Sequence, residues 1–224
     1  SQRCVGLVEM TVKSSLTAEL AAIRDGASDR SRELNNQLVK HLMDSGATQG
    51  ALKVGDMFPD FQLASADGRF VRRDELLEKG PAVFSFYRGA WCPYCSAELN
   101  ALADAAAEIR TLGATLVAIT PEAGGIALRT KFDRNLDFEI LCDLDNILAL
   151  ESGLLFPVPD GIRNAYLERG IDFVRIYGNE AWVLPTPATY IVRRDGIISN
   201  AFINADYRFR IEPAEIVAAL SALR

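Results

Sequence analysis

Between residues 82 and 152 the chain alternates between short apolar runs and stripes of apolar residues that recur every three or four positions. The run at 82–87 predicts a buried strand, and a stripe with helical spacing follows it. The members of that stripe are Cys95, Leu99, Leu102, Ala106 and Ile109. Further strands are predicted at 114–120 and 138–142, with helices near 126–135 and 147–152. This alternation is typical of βαβ units on a parallel sheet.

Two tight-turn signals mark hairpins on either side of these units. Asp67-Gly68 and Asp195-Gly196 each separate two apolar runs, and Asp-Gly suits the positive φ angles of a two-residue hairpin turn. The flanking runs lie at 61–63, 69–71, 188–193 and 197–203. Pro213 then opens a last apolar stripe, as expected for the first residue of a helix. The pattern predicts the α/β class, with a mixed central sheet flanked by helices and an N-terminal hairpin.

The N-terminal segment carries two amphipathic stripes with helical spacing. Their members are Leu16, Leu20 and Ile23, then Leu34, Leu38 and Leu42, with a polar break at 25–29. A small, polar stretch at 44–56 is the predicted linker, so we divide the chain into a helical extension, 1–50, and a domain, 51–224. We expect the helices to pack on the domain's own core, with a subunit contact in a homodimer as the alternative. Residues 1–9 precede Met10, are expected to be upstream or added sequence, and are set aside.

Composition and charge exclude several classes of function. The chain has 224 residues, of which 49% are hydrophobic and 24% charged, with a net charge of −6. It contains no basic block, which argues against a nucleic-acid or anionic-membrane partner. No apolar run approaches the roughly 18 residues of a membrane span, and the apolar stretch at 5–12 is too short and interrupted for a signal peptide. A cytoplasmic location, where thiols are kept reduced, is therefore expected.

The candidate chemistry lies in Trp91-Cys92-Pro93-Tyr94-Cys95, at the start of the predicted central helix. Pro93 suits the first helical position, which places Cys92 at or near the N-cap. Unpaired backbone N–H groups and the helix dipole favour a thiolate there, and can lower a cysteine pKa from about 8.5 to roughly 3.5–7.5. Two thiols at this spacing predict a reversible disulfide. A zinc site would need four ligands, and only Cys4, Cys142 and His41 remain to complete one, so we expect neither metal nor cofactor.

Three stretches resemble one known family. The stretch Gly55-Asp-Met-Phe-Pro-Asp-Phe61 resembles its entry motif, Cys95-Ser-Ala-Glu98 stands at the position of its peroxide-attacking Cys-Pro-Thr-Glu, and Leu184-Pro-Thr-Pro-Ala-Thr-Tyr-Ile-Val192 resembles the proline-containing strand that faces the cysteines in thioredoxin-like proteins. The chain is thus similar to the peroxiredoxin-like branch of the thioredoxin fold, related to alkyl hydroperoxide reductase and thiol-specific antioxidant proteins. The resemblance implies a thioredoxin-like fold, and peroxide reduction by a thiol pair that an external thioredoxin- or glutaredoxin-like dithiol regenerates.

The chain also departs from that family. Arg88 stands at the family's proline position and Cys92 at its threonine position, while the strand expected to bring a distant arginine offers Thr186-Pro187. By resemblance to thioredoxins, the bond before Pro187 is expected to be cis and the proline to shape a groove beside the sulfurs. The alternative is an ordinary proline at the start of an edge strand. Trp91, Pro93, Tyr94, Arg88, Thr186 and Pro187 are the candidate supporting residues.

Two assignments of the sulfur roles remain open. In a thioredoxin-like mechanism Cys92 attacks a partner disulfide and Cys95, expected to be more buried, resolves the mixed disulfide. In a peroxidase mechanism the family register makes Cys95 the attacking residue, whereas exposure and the helix dipole favour Cys92. Arg88 is a candidate donor to the departing oxygen if it points inward. Cys142 is expected to be structural.

The first functional hypothesis is therefore a thiol peroxidase. The alternatives are a protein disulfide reductase without useful peroxidase activity, and a redox switch that is not an enzyme. Residues 153–184 are expected to form a local lid over the site, or else to cover the sheet edge only. The stretch 206–210 is interpreted as a surface turn or a subunit contact.

Overall fold

The computed structural model describes residues 14–223. Residues 1–9, which the sequence sets aside, and Cys4 among them, lie outside this range. The helices within it are α1 (Leu16–Asp25), α2 (Asp29–Asp44), α3 (Arg73–Leu77), α4 (Pro93–Thr111), α5 (Gly124–Asp133), α6 (Ile147–Glu151), α7 (Asp160–Glu168), α8 (Phe173–Tyr177) and α9 (Pro213–Ser221). The strands are β1 (Gln62–Ser65), β2 (Phe70–Arg72), β3 (Ala82–Phe86), β4 (Thr115–Thr120), β5 (Glu139–Cys142), β6 (Leu155–Pro157), β7 (Val183–Pro185), β8 (Ala188–Val192) and β9 (Ile198–Ile203).

Seven of these strands form one mixed sheet in the order β2-β1-β5-β4-β3-β8-β9. The pairs β3–β4 and β4–β5 are parallel, while β1–β2, β1–β5, β3–β8 and β8–β9 are antiparallel. The two predicted hairpins are β1–β2 and β8–β9, and the predicted βαβ units are β3-α4-β4 and β4-α5-β5. This confirms the α/β class and the mixed sheet, with bounds that differ from the predicted ones by one or two residues at most ends.

Strand β3 lies in the interior of the sheet, between β4 and β8, and is buried along its whole length. Its side chains alternate between two apolar clusters: Phe84 and Phe86 pack with Phe58, whereas Val83 packs on the side of α4. A strand covered on both faces reads as a continuous apolar run, as this one does. The chain leaves the sheet after Phe86, so the loop to Cys92 starts at the middle of the domain rather than at its edge.

The N-terminal helices pack on the domain, as expected. Ser15 and Ser28 cap α1 and α2 with their hydroxyls, the usual role of serine at a helix N-terminus. Helix α1 lies against α4, and the Glu212 carboxylate accepts hydrogen bonds from the first backbone N–H groups of α1. Helix α2 meets α7, and its Asn35 accepts a hydrogen bond from Tyr207. The division at residues 50 and 51 stays a prediction.

The structure also describes the segment 153–184 and the peptide bond before Pro187, for which the sequence supports specific predictions. Residues 153–184 hold β6, α7, α8 and most of β7, and the two strands pair antiparallel in a separate two-stranded sheet. The peptide bond before Pro187 is trans, since no cis bond occurs within residues 14–223, so the cis prediction is wrong. Proline's low cis penalty permits a cis bond without requiring one.

Across the described helices, none combines the length and apolar character needed to cross a membrane.

Candidate active site

Cys92 and Cys95 lie in the first turn of α4. Cys92 is the N-cap residue, with extended backbone angles, and Pro93 is the first helical residue, as the sequence predicts. Both thiols are free, and both residues are completely buried, at 0% exposure. The expected greater exposure of Cys92 is therefore wrong. A helix N-cap is ordinarily near the surface, but here residues from distant parts of the chain cover it.

Arg88 points inward and contacts Cys92. Its Nη2 donates to the Cys92 Sγ at 2.9 Å, and the residue is only 2% exposed. The guanidinium carbon lies 3.8 Å from the ring centre of Tyr207 and 5.2 Å from that of Trp91, so two aromatic rings hold the cation in place. Its Nε and Nη1 have no hydrogen-bond partner within residues 14–223. The positive charge thus faces a sulfur, with two N–H donors to spare.

A second arginine, Arg210, approaches the other sulfur. Its Nη2 lies 3.7 Å from the Cys95 Sγ, and its Nε donates to the Glu98 carboxylate at 2.7 Å in a buried ion pair. The sequence interpretation of 206–210 as a surface turn or subunit contact missed this role. It also took the family's distant arginine to be absent, because the strand carries Thr186 and Pro187. The sequence did contain one signal, Glu98, which lies three residues after Cys95 on the predicted apolar side of the helix. A carboxylate buried there needs a cation as its partner.

The two thiols are electrostatically unequal. Burial opposes ionisation of Cys92, but the hydrogen bond from Cys95, the Arg88 charge and the Arg210 charge outweigh it, and the pKa of Cys92 lies well below its ordinary value. Burial together with the hydrogen bond and charge of Cys92 raises the pKa of Cys95 well above its ordinary value. The geometry supports this direction, since Arg210 forms an ion pair with Glu98 whereas no carboxylate within residues 14–223 pairs with Arg88. The site therefore favours ionisation of Cys92 over ionisation of Cys95.

Buried polar groups fix the loop between β3 and Cys92. The Tyr177 hydroxyl accepts from the Trp91 indole and donates to the Arg88 carbonyl, both at 2.7 Å. The Glu122 carboxylate accepts from the Ala90 N–H at 2.9 Å, and burial raises the pKa of Glu122 to about 7. These contacts hold Arg88 against the sulfur. Tyr177 belongs to the segment 153–184, so that segment forms part of the wall of the site.

Gly89 offers a test of how rigid this loop must be. A Cβ at Gly89 would lie 2.6 Å from the Trp91 Nε1 and 2.9 Å from a Glu122 carboxylate oxygen, whereas a Cβ at Gly125 would meet nothing within 4 Å. We expect Gly89→Ala to lower the free energy of unfolding by about 1–3 kcal/mol, the cost of enforced local strain, and to slow oxidation of Cys92. Gly125→Ala, in the first turn of α5, is the control: it should not lower the free energy of unfolding and should leave the oxidation rate unchanged. Urea unfolding and thiol oxidation rates measure the two effects, and equal behaviour of the two variants would contradict the rigid-loop interpretation.

A cavity of about 270 Å³ lies next to Arg88 and the first turn of α4, although neither Cys92 nor Cys95 is among its lining residues. Four of the predicted supporting residues line it, namely Arg88, Trp91, Pro93 and Tyr94. Its other walls come from α1, α2 and the α7 region. Thr186 and Pro187 are buried but are not among its lining residues, so the structure does not bring them to this cavity. Within residues 14–223, no group of three or more His, Cys, Asp or Glu side chains is arranged to hold a metal ion.

Comparisons with known proteins agree with this geometry. The model of the AhpC/TSA family matches residues 54–201. A Mycobacterium tuberculosis protein named "Putative peroxiredoxin" is 31% identical over 105 residues, which cover 46% of this chain and 67% of the relative. A Helicobacter pylori protein named "Putative peroxiredoxin bcp" is 26% identical over 153 residues, 68% of this chain and 89% of the relative.

Solved structures share the fold. The peroxidoxin BcpB of M. tuberculosis superposes with a TM-score of 0.61 at 22% identity, over 77% of this chain and 99% of its own. The bacterioferritin comigratory protein of Xanthomonas campestris superposes with a TM-score of 0.55 at 14% identity, over 73% and 91% of the two chains. The predicted peroxiredoxin-like fold is thereby confirmed.

Proposed function

Because the chain belongs to the AhpC/TSA family, we propose that it is a thiol-dependent peroxidase in which Cys92 attacks the peroxide and Cys95 resolves the product. The observation that carries this assignment is the 2.9 Å contact between Arg88 Nη2 and the Cys92 Sγ, together with the Nε and Nη1 of Arg88, which have no hydrogen-bond partner within residues 14–223. Relatives named as peroxiredoxins, and the alkyl peroxide reduction named for the X. campestris neighbour, support the reaction class.

The first step uses the charge of Arg88. The Cys92 thiolate donates an electron pair to one peroxide oxygen, the O–O bond breaks, and the other oxygen departs with the bonding pair and takes up a proton. Cys92 becomes a sulfenic acid. The spare Nε and Nη1 donors of Arg88 are suited to hold the departing oxygen as it gains negative charge. Because the site is buried, those donors act without competition from water.

The second step changes the properties of Cys95. Once Cys92 is a sulfenic acid, the negative charge and the hydrogen bond that raise the pKa of Cys95 are gone, and Arg210 lies 3.7 Å from its sulfur. Cys95 then attacks the Cys92 sulfur, a disulfide forms, and water leaves. An external dithiol of the thioredoxin or glutaredoxin type returns two electrons by thiol–disulfide exchange. The order of attack proposed here is the opposite of the one that the family register predicts.

Rapid mixing tests the proposal. Reduced protein mixed with one equivalent of hydrogen peroxide should lose two thiols, those of Cys92 and Cys95, in a fast phase followed by tryptophan fluorescence and thiol counting, while Cys142 stays free. The same protein should reduce a test protein disulfide slowly. Fast disulfide reduction with sluggish peroxide oxidation would favour the disulfide reductase instead, and slow reaction with both would favour a redox switch.

Two further statements belong to this proposal. A cytosolic location is proposed because a close, reduced thiol pair suits a reducing compartment. A homodimer stays a prediction that α1 and α2 do not require, since both helices pack on the chain's own core.

A further inference from the structure

Two aromatic rings hold the buried guanidinium of Arg88 against the Cys92 sulfur. Its Nη2 donates to the sulfur at 2.9 Å, while its Nε and Nη1 have no hydrogen-bond partner in the described part of the chain. A planar cation held by one hydrogen bond is free to turn about that bond. The rings of Tyr207 and Trp91, with centres 3.8 Å and 5.2 Å from the guanidinium carbon, therefore decide where the charge of Arg88 lies.

Each of these rings is fixed at its polar end. The Trp91 indole N–H donates to the Tyr177 hydroxyl at 2.7 Å, and the Tyr207 hydroxyl donates to the Asn35 Oδ1 at 3.0 Å. A buried tyrosine whose hydroxyl is hydrogen-bonded is restrained both at its backbone and at the tip of its ring. Tyr207 is the nearer of the two rings and is only 1% exposed, so its contact with Asn35 bears most directly on Arg88.

Resting on the proposed function, we propose that Tyr207 and Asn35 are positioning residues of the peroxidase: Tyr207 orients Arg88, and Asn35, on the N-terminal helix α2, orients Tyr207. The geometry forms one continuous series of contacts, 3.0 Å from the Tyr207 hydroxyl to Asn35, 3.8 Å from the Tyr207 ring to Arg88 and 2.9 Å from Arg88 to the Cys92 sulfur. Helix α2 thereby takes part in the reaction without contacting a sulfur.

Helix α2 is a rigid support for Asn35. Its side chains Leu34, Leu38 and Leu42 are buried in the same apolar cluster that contains Cys92 and Tyr207. Asn35 directly follows Leu34, and its side chain lines the same cavity as Arg88. Groups on a packed helix are held more precisely than groups on a loop, so the acceptor that Tyr207 meets has a fixed place.

Tyr207 also belongs to the segment that reaches the other sulfur. The Asp206 carboxylate accepts from the backbone N–H of Arg208 and from its guanidinium, which closes the turn around Tyr207. Three residues further along, the Arg210 Nη2 lies 3.7 Å from the Cys95 sulfur. A hydrogen bond that fixes Tyr207 therefore restrains a short segment with an arginine contact at each end of the thiol pair.

The contact joins two parts of the chain that the family match does not include. Asn35 precedes residues 54–201 and Tyr207 follows them. The two residues are 172 positions apart in sequence and meet only because α2 and the segment after β9 both fold over the start of α4. The position of Arg88 is thus set in part by groups outside the matched domain.

The test removes the hydrogen bond from either side. Asn35→Ala deletes the acceptor, and Tyr207→Phe deletes the donor but keeps the ring. We expect each variant to slow the oxidation of Cys92 by hydrogen peroxide in stopped flow by about 3–10-fold, which corresponds to one hydrogen bond of ordinary strength. The double variant should be no slower than either single one, because both changes remove the same bond.

A neighbouring amide supplies the matched control. Asn36→Ala removes the same side chain one position further along α2, where its partner Arg208 stays bound to Asp206. This variant should oxidise at the wild-type rate. Urea unfolding of all four variants identifies any loss of rate that comes from unfolding under the assay conditions.

The ionisation of Cys92 gives a readout that does not depend on turnover. Thiolate absorbance against pH should show a higher midpoint in Asn35→Ala and in Tyr207→Phe, because the Arg88 charge is held less closely while burial, Cys95 and Arg210 remain. Asn36→Ala should keep the wild-type midpoint.

The outcomes separate this inference from the proposed function. A wild-type rate and midpoint in both single variants would overturn the inference, as would a double variant whose losses add. A slower rate with an unchanged midpoint would indicate general damage to the site and would also overturn it. Failure of hydrogen peroxide to oxidise Cys92 rapidly in the wild type would instead overturn the proposed function.

Discussion

Cys92→Ser is expected to abolish the reaction with peroxide, with a loss of at least about 10³-fold in the rate of oxidation, as when other enzymes lose their nucleophile. The reason is that Arg88 stabilises the anion at position 92, and a serine hydroxyl does not ionise there. The remaining Cys95 lies beside an arginine whose charge Glu98 already neutralises. Stopped-flow oxidation of the reduced variant, followed by thiol counting, measures the loss.

Cys95→Ser is the matched control for this experiment. It should keep a single fast oxidation at Cys92 and then stop, because no thiol remains in the site to form the disulfide. The sulfenic acid at Cys92 should then be captured by a dimedone probe and located by mass spectrometry. Multiple turnovers with a dithiol should be lost in both variants. A fast reaction of Cys92→Ser at Cys95 would instead support the assignment that the family register predicts.

Arg88→Met is expected to slow peroxide reduction by about 10²–10³-fold, the usual cost of removing a preorganised donor. Methionine keeps much of the length of the side chain between Trp91 and Tyr207 but removes the charge and the N–H groups. The pKa of the Cys92 thiol should then rise, because burial remains while a favourable charge is lost. Thiolate absorbance measured against pH should show the ionisation midpoint moving upward.

Two controls separate charge from packing. Arg88→Lys keeps a cation without the planar fork, so it should retain a low pKa at Cys92 yet lose part of the rate. Arg193→Gln removes a surface arginine of the β8–β9 hairpin and should change neither quantity.

The stability of the reduced protein should depend on pH, because the pKa of Cys92 is lower in the folded state than in the unfolded state. The stabilisation by the thiolate is fully present above the unfolded-state pKa of Cys92, and it is lost as the pH falls through the folded-state pKa. Arg88→Met should flatten that dependence, and an unchanged midpoint in Arg88→Met would contradict the role given to Arg88.

The local sequence pattern was enough to predict the strand and the helix that carry the site. The apolar run of β3, the stripe of α4 and the Cys-Pro step at its start are local features, and helix capping follows the same rules in most proteins. The two Asp-Gly hairpins and the N-terminal helices follow from turn chemistry and from amphipathic spacing in the same way.

The local sequence pattern could not predict which distant side chains cover the two sulfurs. Arg210 meets Glu98 across 112 residues of sequence, and Tyr177 meets the Arg88 carbonyl across 89. No periodicity encodes such contacts, since they depend on how the segments after β5 and β9 fold back over α4. For the same reason the sequence overestimated the exposure of Cys92. The trans bond at Pro187 was missed because it was expected from thioredoxins rather than from neighbouring residues.

The buried position of Arg88 also affects the free energy of reducing the proposed Cys92–Cys95 disulfide. A Cys92 thiolate would balance the charge of Arg88 in the reduced protein, whereas the proposed Cys92–Cys95 bridge carries no charge and no carboxylate within residues 14–223 pairs with the guanidinium. An uncompensated buried charge is strongly unfavourable, so the dithiol form gains relative to the oxidised one. We therefore expect the proposed couple to have a more positive reduction potential than an ordinary structural disulfide, as in other proteins whose reduced form is stabilised. On this basis we expect even weakly reducing external thiols to reduce the Cys92–Cys95 bridge and to regenerate the dithiol form.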